Sequence, residues 1–360
     1  MAKVTFNNKE NSFFSSLKGA VDQYFATHHV KKTGTIKLYI KTIVLIPSAL
    51  LLYCLLVFGK NSSSIGIVSC ILLGFVLASI GFNVMHDACH GSYSRFRLIN
   101  EFMGYSLNAL GGNAFMWKFK HNILHHTYPN MDGIDDDIAK SPMLRHCTTQ
   151  KWYPIHRVQH IYIFFIYALT SISWVFIFDF MKYFTRKIGQ VNLQKMKVKE
   201  HFIFWVSKIL YILFYIAVPV YKMGWQKWAV GYIIVNLVMG FILAIVFQLA
   251  HVVEHTAFRW VGPGDSLKIE NEWAIYQVRA TANFATNNRA ITWFVGGLNF
   301  QIEHHLFPKI SHVHYPALNR IVRQECLRFE IPYNEFHTML AAIRSHVNIM
   351  KAAGRRPSDS

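Results

Sequence analysis

Long runs without a charged side chain constrain this chain most. Five of them occur, at residues 42–59, 65–85, 161–178, 202–221 and 228–250, with Lys208 as the single charge within them. About 20 apolar residues span the hydrocarbon core of a bilayer, so runs of this length predict membrane helices. Buried helices of a large soluble core are the alternative, and they fit the two longest runs poorly. We therefore expect an all-α integral membrane protein.

The distribution of charge decides how many of the five runs cross the membrane. Five crossings from a cytosolic N-terminus would place residues 182–201, with six basic residues and one acid, on the outer side. That placement opposes the positive-inside bias, and it would separate the early histidines from the late ones by the full bilayer. We predict four crossings, with residues 161–178 lying in the interface or re-entering on the same side.

Under this topology nearly all charge lies on one face. Of the 37 Lys and Arg residues, Lys60, Lys222 and Lys227 face outward, Lys208 lies within a span, and 33 face the cytosol with all 19 acids. Because the chain is apolar and strongly basic, we expect its anionic partner to be membrane lipid and not nucleic acid.

The chain divides into three predicted parts. Residues 1–41 lack the short apolar core of a signal peptide and are expected to form a cytosolic basic segment. Residues 42–350 hold the spans and every motif described below. Residues 351–360 are expected to be a basic tail.

None of the four predicted spans contains a histidine, although the chain has 19. Histidines begin directly after two of the spans, in pairs whose i,i+4 spacing places both rings on one helical face. Two further clusters contain a doubled histidine. The nine clustered residues are His86, His90, His121, His125, His126, His251, His255, His304 and His305. A catalytic zinc takes about three protein ligands, so nine imidazoles predict a site for two metal ions with open positions.

Each cluster also has a simpler interpretation. A lone pair such as His86 and His90 could hydrogen-bond lipid phosphate at the membrane surface. Four clusters on one face of the membrane favour metal binding over this alternative.

Polar residues beside the histidines are candidates for supporting them. Metal-bound imidazoles usually donate their second N–H to a carboxylate or carbonyl, so we assign Asp87 and Glu303, with Gln301, to this role. Solvated acids are the alternative. The acidic loop at residues 132–137 lacks a calcium-binding pattern, and it is expected to be solvated or to support the site.

The location of the site narrows its chemistry. Imidazole suits zinc, copper, iron and nickel alike, so the ligands do not select the metal. The site lies at the membrane surface, above apolar helices able to hold an alkyl chain. Zinc at this position would support only hydrolysis, whereas iron can activate dioxygen and attack an unactivated C–H bond.

Three histidine boxes carry a family resemblance. The motifs His-Asp-x-x-His at residues 86–90, His-x-x-x-His-His at 121–126 and Gln-x-x-His-His at 301–305 resemble those of the membrane fatty acid desaturases. The stretch from Gly296 to Pro308 resembles the branch that contains front-end and linoleoyl-CoA desaturases. The resemblance implies four spans with a cytosolic helical cap, and two iron ions.

The resemblance also implies the ligand set. The seven histidines of the three boxes would bind iron, and a further family ligand position matches His255. Gln301 replaces the histidine that opens the third box in many desaturases. We infer that His251 supplies the missing ligand, with direct ligation by Gln301 as the alternative.

The implied reaction converts two adjacent methylenes of an acyl chain to a cis double bond, using O2 and two electrons. The substrate would be a fatty acyl-CoA or an acyl lipid. No haem-binding His-Pro-Gly-Gly motif, dinucleotide fingerprint or iron–sulfur cysteine pattern occurs, which predicts a separate cytochrome b5 or ferredoxin with its reductase.

Two other functions stay open at this point. A hydroxylase would keep the same site but return oxygen to carbon. A histidine-rich metal transporter would need polar or histidine residues inside its spans, which the sequence does not provide. The absence of a fused donor domain and of retention signals favours a bacterial inner membrane over the endoplasmic reticulum.

Overall fold

A computed structural model describes residues 3–8, 12–138, 142–262 and 264–356. Its described part is mostly helical, which confirms the predicted fold class. The helices are α1 (Ser12–Thr27), α2 (Ile36–Phe58), α3 (Ser63–His90), α4 (Arg97–Gly104), α5 (Ser106–Ala109), α6 (Ala114–Lys118), α7 (Pro154–Ala168), α8 (Thr170–Thr185), α9 (Val198–Met223), α10 (Trp225–His251), α11 (Trp273–Ala280), α12 (Arg289–Phe294), α13 (Gln301–Leu306), α14 (Tyr315–Arg328) and α15 (Met339–Ala353).

The strands are short and occur in pairs, three of which tie distant parts of the chain together. They are β1 (Lys3–Phe6), β2 (Met131–Asp132), β3 (Lys187–Ile188), β4 (Val191–Asn192), β5 (Arg259–Trp260), β6 (Ser266–Ile269), β7 (Asn283–Phe284) and β8 (Glu335–Phe336). The pairs β1–β6, β2–β5 and β7–β8 are parallel, and β3–β4 is an antiparallel hairpin.

Four helices are long and apolar enough to cross a bilayer, and they are α2, α3, α9 and α10. All four match the predicted crossings, and each extends a few residues beyond its uncharged run. The extension of α3 matters most, because this helix continues past the predicted boundary at residue 85 to His90. It therefore carries the first histidine box on the same rigid element as a span.

Close packing of α3 against α10 places their C-terminal ends side by side. Gly74 makes this approach possible, since a Cβ at that position would lie 2.6 Å from the Val235 carbonyl oxygen of α10. Small residues at helix crossings serve this purpose in membranes. His90 and His251, the last residues of the two helices, consequently lie at the same end of the bundle.

The fifth apolar run forms two helices, α7 and α8, that meet at a 61° bend. Gly240 of α10 packs against this bend, where a Cβ would lie 2.5 Å from the Ala168 carbonyl oxygen. A broken span and a re-entrant segment both have this geometry. That the run does not cross therefore stays a prediction.

A buried ion pair joins α8 to α9. The Lys208 Nζ lies 3.0 Å from an Asp179 carboxylate oxygen, and it also donates to the Gly111 and Val175 carbonyls at 2.6 and 3.0 Å. The one charge among the apolar runs is thus fully partnered.

The N-terminal segment is more structured than its basic composition suggests. Helix α1 buries Phe13, Leu17, Val21 and Phe25, which recur every four residues, against α11, α13 and α14. At the other end, residues 351–353 complete α15, and Gly354 packs against the His156 carbonyl. The predicted tail therefore begins later than residue 351, and residues 357–360 lie outside the described part of the chain.

Candidate metal centre

A wide helical turn precedes the first histidine box. Residues Gly81–Met85 of α3 form a π-helical segment, and His86–His90 then resume the α-helix. π-Bulges of this kind often occur at functional sites, because they change the direction in which the following side chains point. The rings of His86 and His90 lie on one face, with centroids 4.6 Å apart.

The second box lies on a longer π-helix, Phe119–His125, which follows α6. The backbone N–H of His126 donates to the His121 carbonyl at 3.0 Å, an i→i+5 bond. This winding is wider than that of an α-helix. As a result, His125 and His126, four and five positions after His121, both lie on the same side as His121. All three histidines of the box can therefore face one point.

The third box is the short helix α13, and a glycine turn brings it to the first box. Gly296 and Gly297 both have positive φ, at 59° and 67°, and Gly296 touches the Phe82 backbone of α3. A Cβ at Gly296 would lie 2.5 Å from the Phe82 carbonyl oxygen. Glycine is needed at this position for both conformation and space.

The structure brings eight of the nine predicted histidines together as two adjoining clusters. The first cluster is His86, His90, His121 and His304, and the second is His125, His251 and His305. Within each cluster the candidate ligand nitrogens all lie within 4.8 Å of one another. His126 adjoins both clusters, with its ring centroid 4.5 Å from that of His304 and 4.4 Å from that of His305.

The chemistry of these nitrogens fits metal binding. Buried polar atoms normally have hydrogen-bond partners. Here many imidazole nitrogens are buried without one, and they belong to His90, His125, His126, His251, His304 and His305. Burial also lowers the pKa of His126, His304 and His305 well below the ordinary value and that of His121 to about 4. These four rings are therefore neutral at pH 7, as metal ligands must be.

Three of the opposite ring nitrogens have polar partners, of which Tyr315 and Gln277 were not singled out by the sequence. His304 Nδ1 lies 2.9 Å from the Tyr315 hydroxyl, and His305 Nδ1 lies 2.8 Å from Oε1 of Gln277. His125 Nδ1 lies 3.0 Å from Asp135, within the acidic loop. Such partners fix the orientation of a ring and direct its other nitrogen toward the metal. The contact between Asp135 and His125 thus supports the role predicted for the acidic loop.

The polar residues predicted to support the ligands have other partners. Asp87 accepts hydrogen bonds from the Ser311 hydroxyl at 2.6 Å and pairs with His312 at 3.0 Å. Glu303 accepts from Asn283 at 2.8 Å and from Tyr333 at 2.7 Å.

The two acids therefore connect α3 and α13 to neighbouring segments. The sequence predicted that they would contact ligand imidazoles instead. The sequence shows that an acid adjoins a ligand but not which way each side chain points. Gln301 is buried at the first position of α13.

His255 is the predicted ligand that the structure does not bring to the clusters. Helix α10 ends at His251, and His255 follows in a turn with φ of 70°. Its side chain is exposed and lines a surface cavity with Arg279, Tyr333 and Asn334. The assumed i,i+4 helical pairing of His251 with His255 is therefore wrong, because the helix stops between them.

Aromatic rings pack against a histidine of each cluster. Trp117 stacks on His121 with centroids 4.3 Å apart, and Phe247 of α10 stacks on His251 at 4.8 Å. The site therefore combines buried imidazoles with aromatic neighbours.

Comparison with known proteins places this arrangement in a family. The profile of the fatty acid desaturases matches residues 62–337, which include both clusters and three of the four membrane helices, all but α2. The chain belongs to the fatty acid desaturase family. It is therefore an oxidoreductase of lipid metabolism that acts on fatty acyl chains, and the suspected resemblance is confirmed.

Characterised relatives of this desaturase share most of its length. An sn-1 linoleoyl-lipid 6-desaturase from Arthrospira platensis is 32% identical over 99% of this chain and 96% of the relative. A Synechocystis protein of the same name is 33% identical over 98% of both chains. The acyl-lipid (8-3)-desaturase of Physcomitrium patens is 34% identical over 98% of this chain and 74% of its own.

Proposed function

We propose that this desaturase introduces a cis double bond at a di-iron centre held by the two histidine clusters. The observation that carries the proposal is the convergence of eight buried histidines, several with unpartnered ring nitrogens, at the end of the membrane helices. His86, His90, His121 and His304 would hold one iron, and His125, His251 and His305 the other, with His126 between them.

Iron is favoured over zinc by the reaction. Removing two hydrogens from adjacent methylenes is an oxidation, which zinc does not support because it has no redox chemistry. Two irons, when bound, supply the activation of dioxygen. The overall balance is one acyl chain, O2, two electrons and two protons giving one double bond and two waters.

The side chains of this protein position and shield the site. Tyr315, Gln277 and Asp135 hold three of the imidazoles in place, and Trp117 and Phe247 cover the ring faces of His121 and His251. A dry, fixed metal environment directs oxidation to the bound chain and away from solvent. No side chain needs to act as an acid or base.

We propose that the substrate is an acyl chain esterified in a membrane lipid, and that the new bond forms on its carboxyl side. The support is the near full-length similarity to two linoleoyl-lipid 6-desaturases, together with the third box. The site would face the cytosol, as the positive-inside bias indicates. The two linoleoyl-lipid desaturases of bacterial origin support a bacterial inner membrane.

Product analysis tests this function. The chain is expressed in a bacterial host without polyunsaturated lipids, and defined fatty acids are supplied, including linoleate. We expect a new cis double bond on the carboxyl side of linoleate, located by mass spectrometry, and none with a His304→Ala variant. A hydroxylated product would instead identify an oxygenase. No product from any chain, despite bound iron, would contradict the proposal.

The electron donor is proposed to be a separate acidic carrier, either cytochrome b5 or a ferredoxin. The support is the formal charge of +14 on the predicted cytosolic face, from 33 basic and 19 acidic residues. Complementary charge speeds the encounter of two proteins more than it tightens their complex.

We expect turnover with a purified acidic donor to fall severalfold as ionic strength rises. The screening length shortens from about 10 Å at 0.1 M salt to about 3 Å at 1 M, which weakens the attraction between the two proteins. The measurement is the apparent KM for the donor across this range. Turnover driven by a small chemical reductant is the control and should change little. Equal salt dependence in both assays would contradict electrostatic docking.

A further inference from the structure

We propose that Asp137 is a positioning residue shared by the two histidine clusters, and that its charge acts on both metal ions. This inference rests on the proposed di-iron function. It assigns a role to a residue of the acidic loop that the three boxes do not contain.

The position of Asp137 between the clusters is the first observation. Its Oδ2 lies 3.9 Å from Nδ1 of His121, in the first cluster, and 3.8 Å from Nδ1 of His125, in the second. These two rings stack, with centroids 5.1 Å apart. One carboxylate oxygen therefore faces a ligand of each metal.

The opposite nitrogens of the two rings face the clusters. His121 Nε2 lies 3.3 Å from His86 Nε2, and His125 Nε2 is buried without a partner. The Nδ1 atoms are thus the outer nitrogens of both rings. A metal-bound imidazole usually donates its outer N–H to a carboxylate, a backbone carbonyl or water. His125 has Asp135 for this purpose, whereas Asp137 is the carboxylate that faces His121.

The surroundings of Asp137 hold it in this place. Lys120, the residue before His121, forms an ion pair with its Oδ1. The backbone N–H of Asp137 donates to Asp135 Oδ1 at 3.0 Å, and Asp135 Oδ2 accepts from the Asn130 N–H at 2.9 Å. The Asp137 side chain is 11% exposed, so solvent screens its charge only weakly.

Two consequences follow for a metal-loaded site. Loss of a carboxylate that supports a ligand typically lowers metal affinity or activity by 10- to 100-fold, an order-of-magnitude range. A nearby negative charge also stabilises the more positive, oxidised state of the metal ions. Removing it should therefore raise their midpoint potential.

The test compares Asp137→Asn with Asp136→Asn in the full-length, detergent-purified protein. Asp136 is the matched control, because it is adjacent, pairs with Lys182 at 3.4 Å and, among the described residues, does not contact a cluster histidine. Iron retention is measured by competition with a chromophoric chelator, and the midpoint potential by spectroelectrochemical titration. We expect Asp137→Asn to lose iron at a chelator concentration at least about 10-fold lower than Asp136→Asn requires. Its midpoint potential should also be higher than that of Asp136→Asn.

A second variant separates positioning from simple ion pairing. In Lys120→Gln with Asp137→Asn both charges are removed, so no buried lysine is left unpaired. We expect this double variant to lose iron as readily as Asp137→Asn. Recovery of wild-type iron retention would show that Asp137 only neutralises Lys120, and it would overturn the inference.

Equal retention and potential in Asp137→Asn and Asp136→Asn would overturn the inference as well. If the wild-type protein bound no iron or formed no double bond, the proposed function itself would fail. A wild type with two irons and full activity confines any failure to Asp137.

Discussion

The His251→Ala variant is expected to lose iron and desaturation, whereas His255→Ala should keep both. His251 is fully buried at the end of α10, with its ring centroid 4.5 Å from that of His125 and 4.8 Å from that of His305. Both of its ring nitrogens are buried without a partner. His255 is exposed beyond the helix end. We expect the second cluster to fall from three ligands to two, with iron content near one ion per chain. Product formation should fall by more than the roughly 10- to 100-fold that loss of a supporting residue typically costs.

The two substitutions are a matched pair, four residues apart and identical in chemistry. Iron per chain, measured on monodisperse protein, distinguishes them directly. Loss of iron in His255→Ala with retention in His251→Ala would reverse the assignment and restore the family position inferred from sequence. Loss in both would require that the turn after α10 closes onto the metal.

The Lys208→Met variant is expected to be strongly destabilised. The ammonium group of Lys208 is buried beside the Asp179 carboxylate. Methionine at position 208 would leave the buried Asp179 charge without its cationic partner. Removing one member of a buried ion pair typically costs about 3–5 kcal/mol, because the remaining charge cannot be solvated. We expect a lower yield of folded protein and a lower thermal transition in detergent.

Two variants control for this effect. Lys208→Met combined with Asp179→Asn removes both charges and should regain most of the lost stability, since Asn can still accept from the Trp174 indole. Lys199→Met, on the same helix α9, removes an exposed partner of Glu101 and should change the transition little. A Lys208→Met protein as stable as wild type would contradict the importance of the pair.

The membrane helices and most of the metal site could be predicted from sequence because each has a signal that does not depend on distant contacts. Uncharged length alone defines α2, α3, α9 and α10. Each of the three histidine boxes is a local motif with short internal spacing, so seven of the eight clustered histidines could be predicted before their geometry was known. His251 was inferred from the missing histidine at Gln301, and its buried place beside His125 supports that inference.

Other features depended on information that local sequence does not carry. No glycine or proline marks the end of α10 between His251 and His255, so the change of direction there was missed. The π-helical winding of the second box is likewise set by packing. Gln277 and Tyr315 reach their histidines only through the tertiary fold. In α1, by contrast, Phe13, Leu17 and Val21 recur at every fourth position, and this periodicity could have revealed a packed helix.

With the proposed metal ions bound, the assembly of the clusters from separate segments would link folding to the supply of metal. The eight histidines come from α3, the π-helix after α6, α10 and α13, so no part of the chain forms the site alone. A ligand that binds only the folded arrangement shifts the folding equilibrium by mass action, by about 2.7 kcal/mol at a free concentration 100 times its Kd. Iron-starved cells would then hold less of this protein, because the metal-free form would be degraded faster. The amount of enzyme would thus depend on the iron supply without a dedicated sensor.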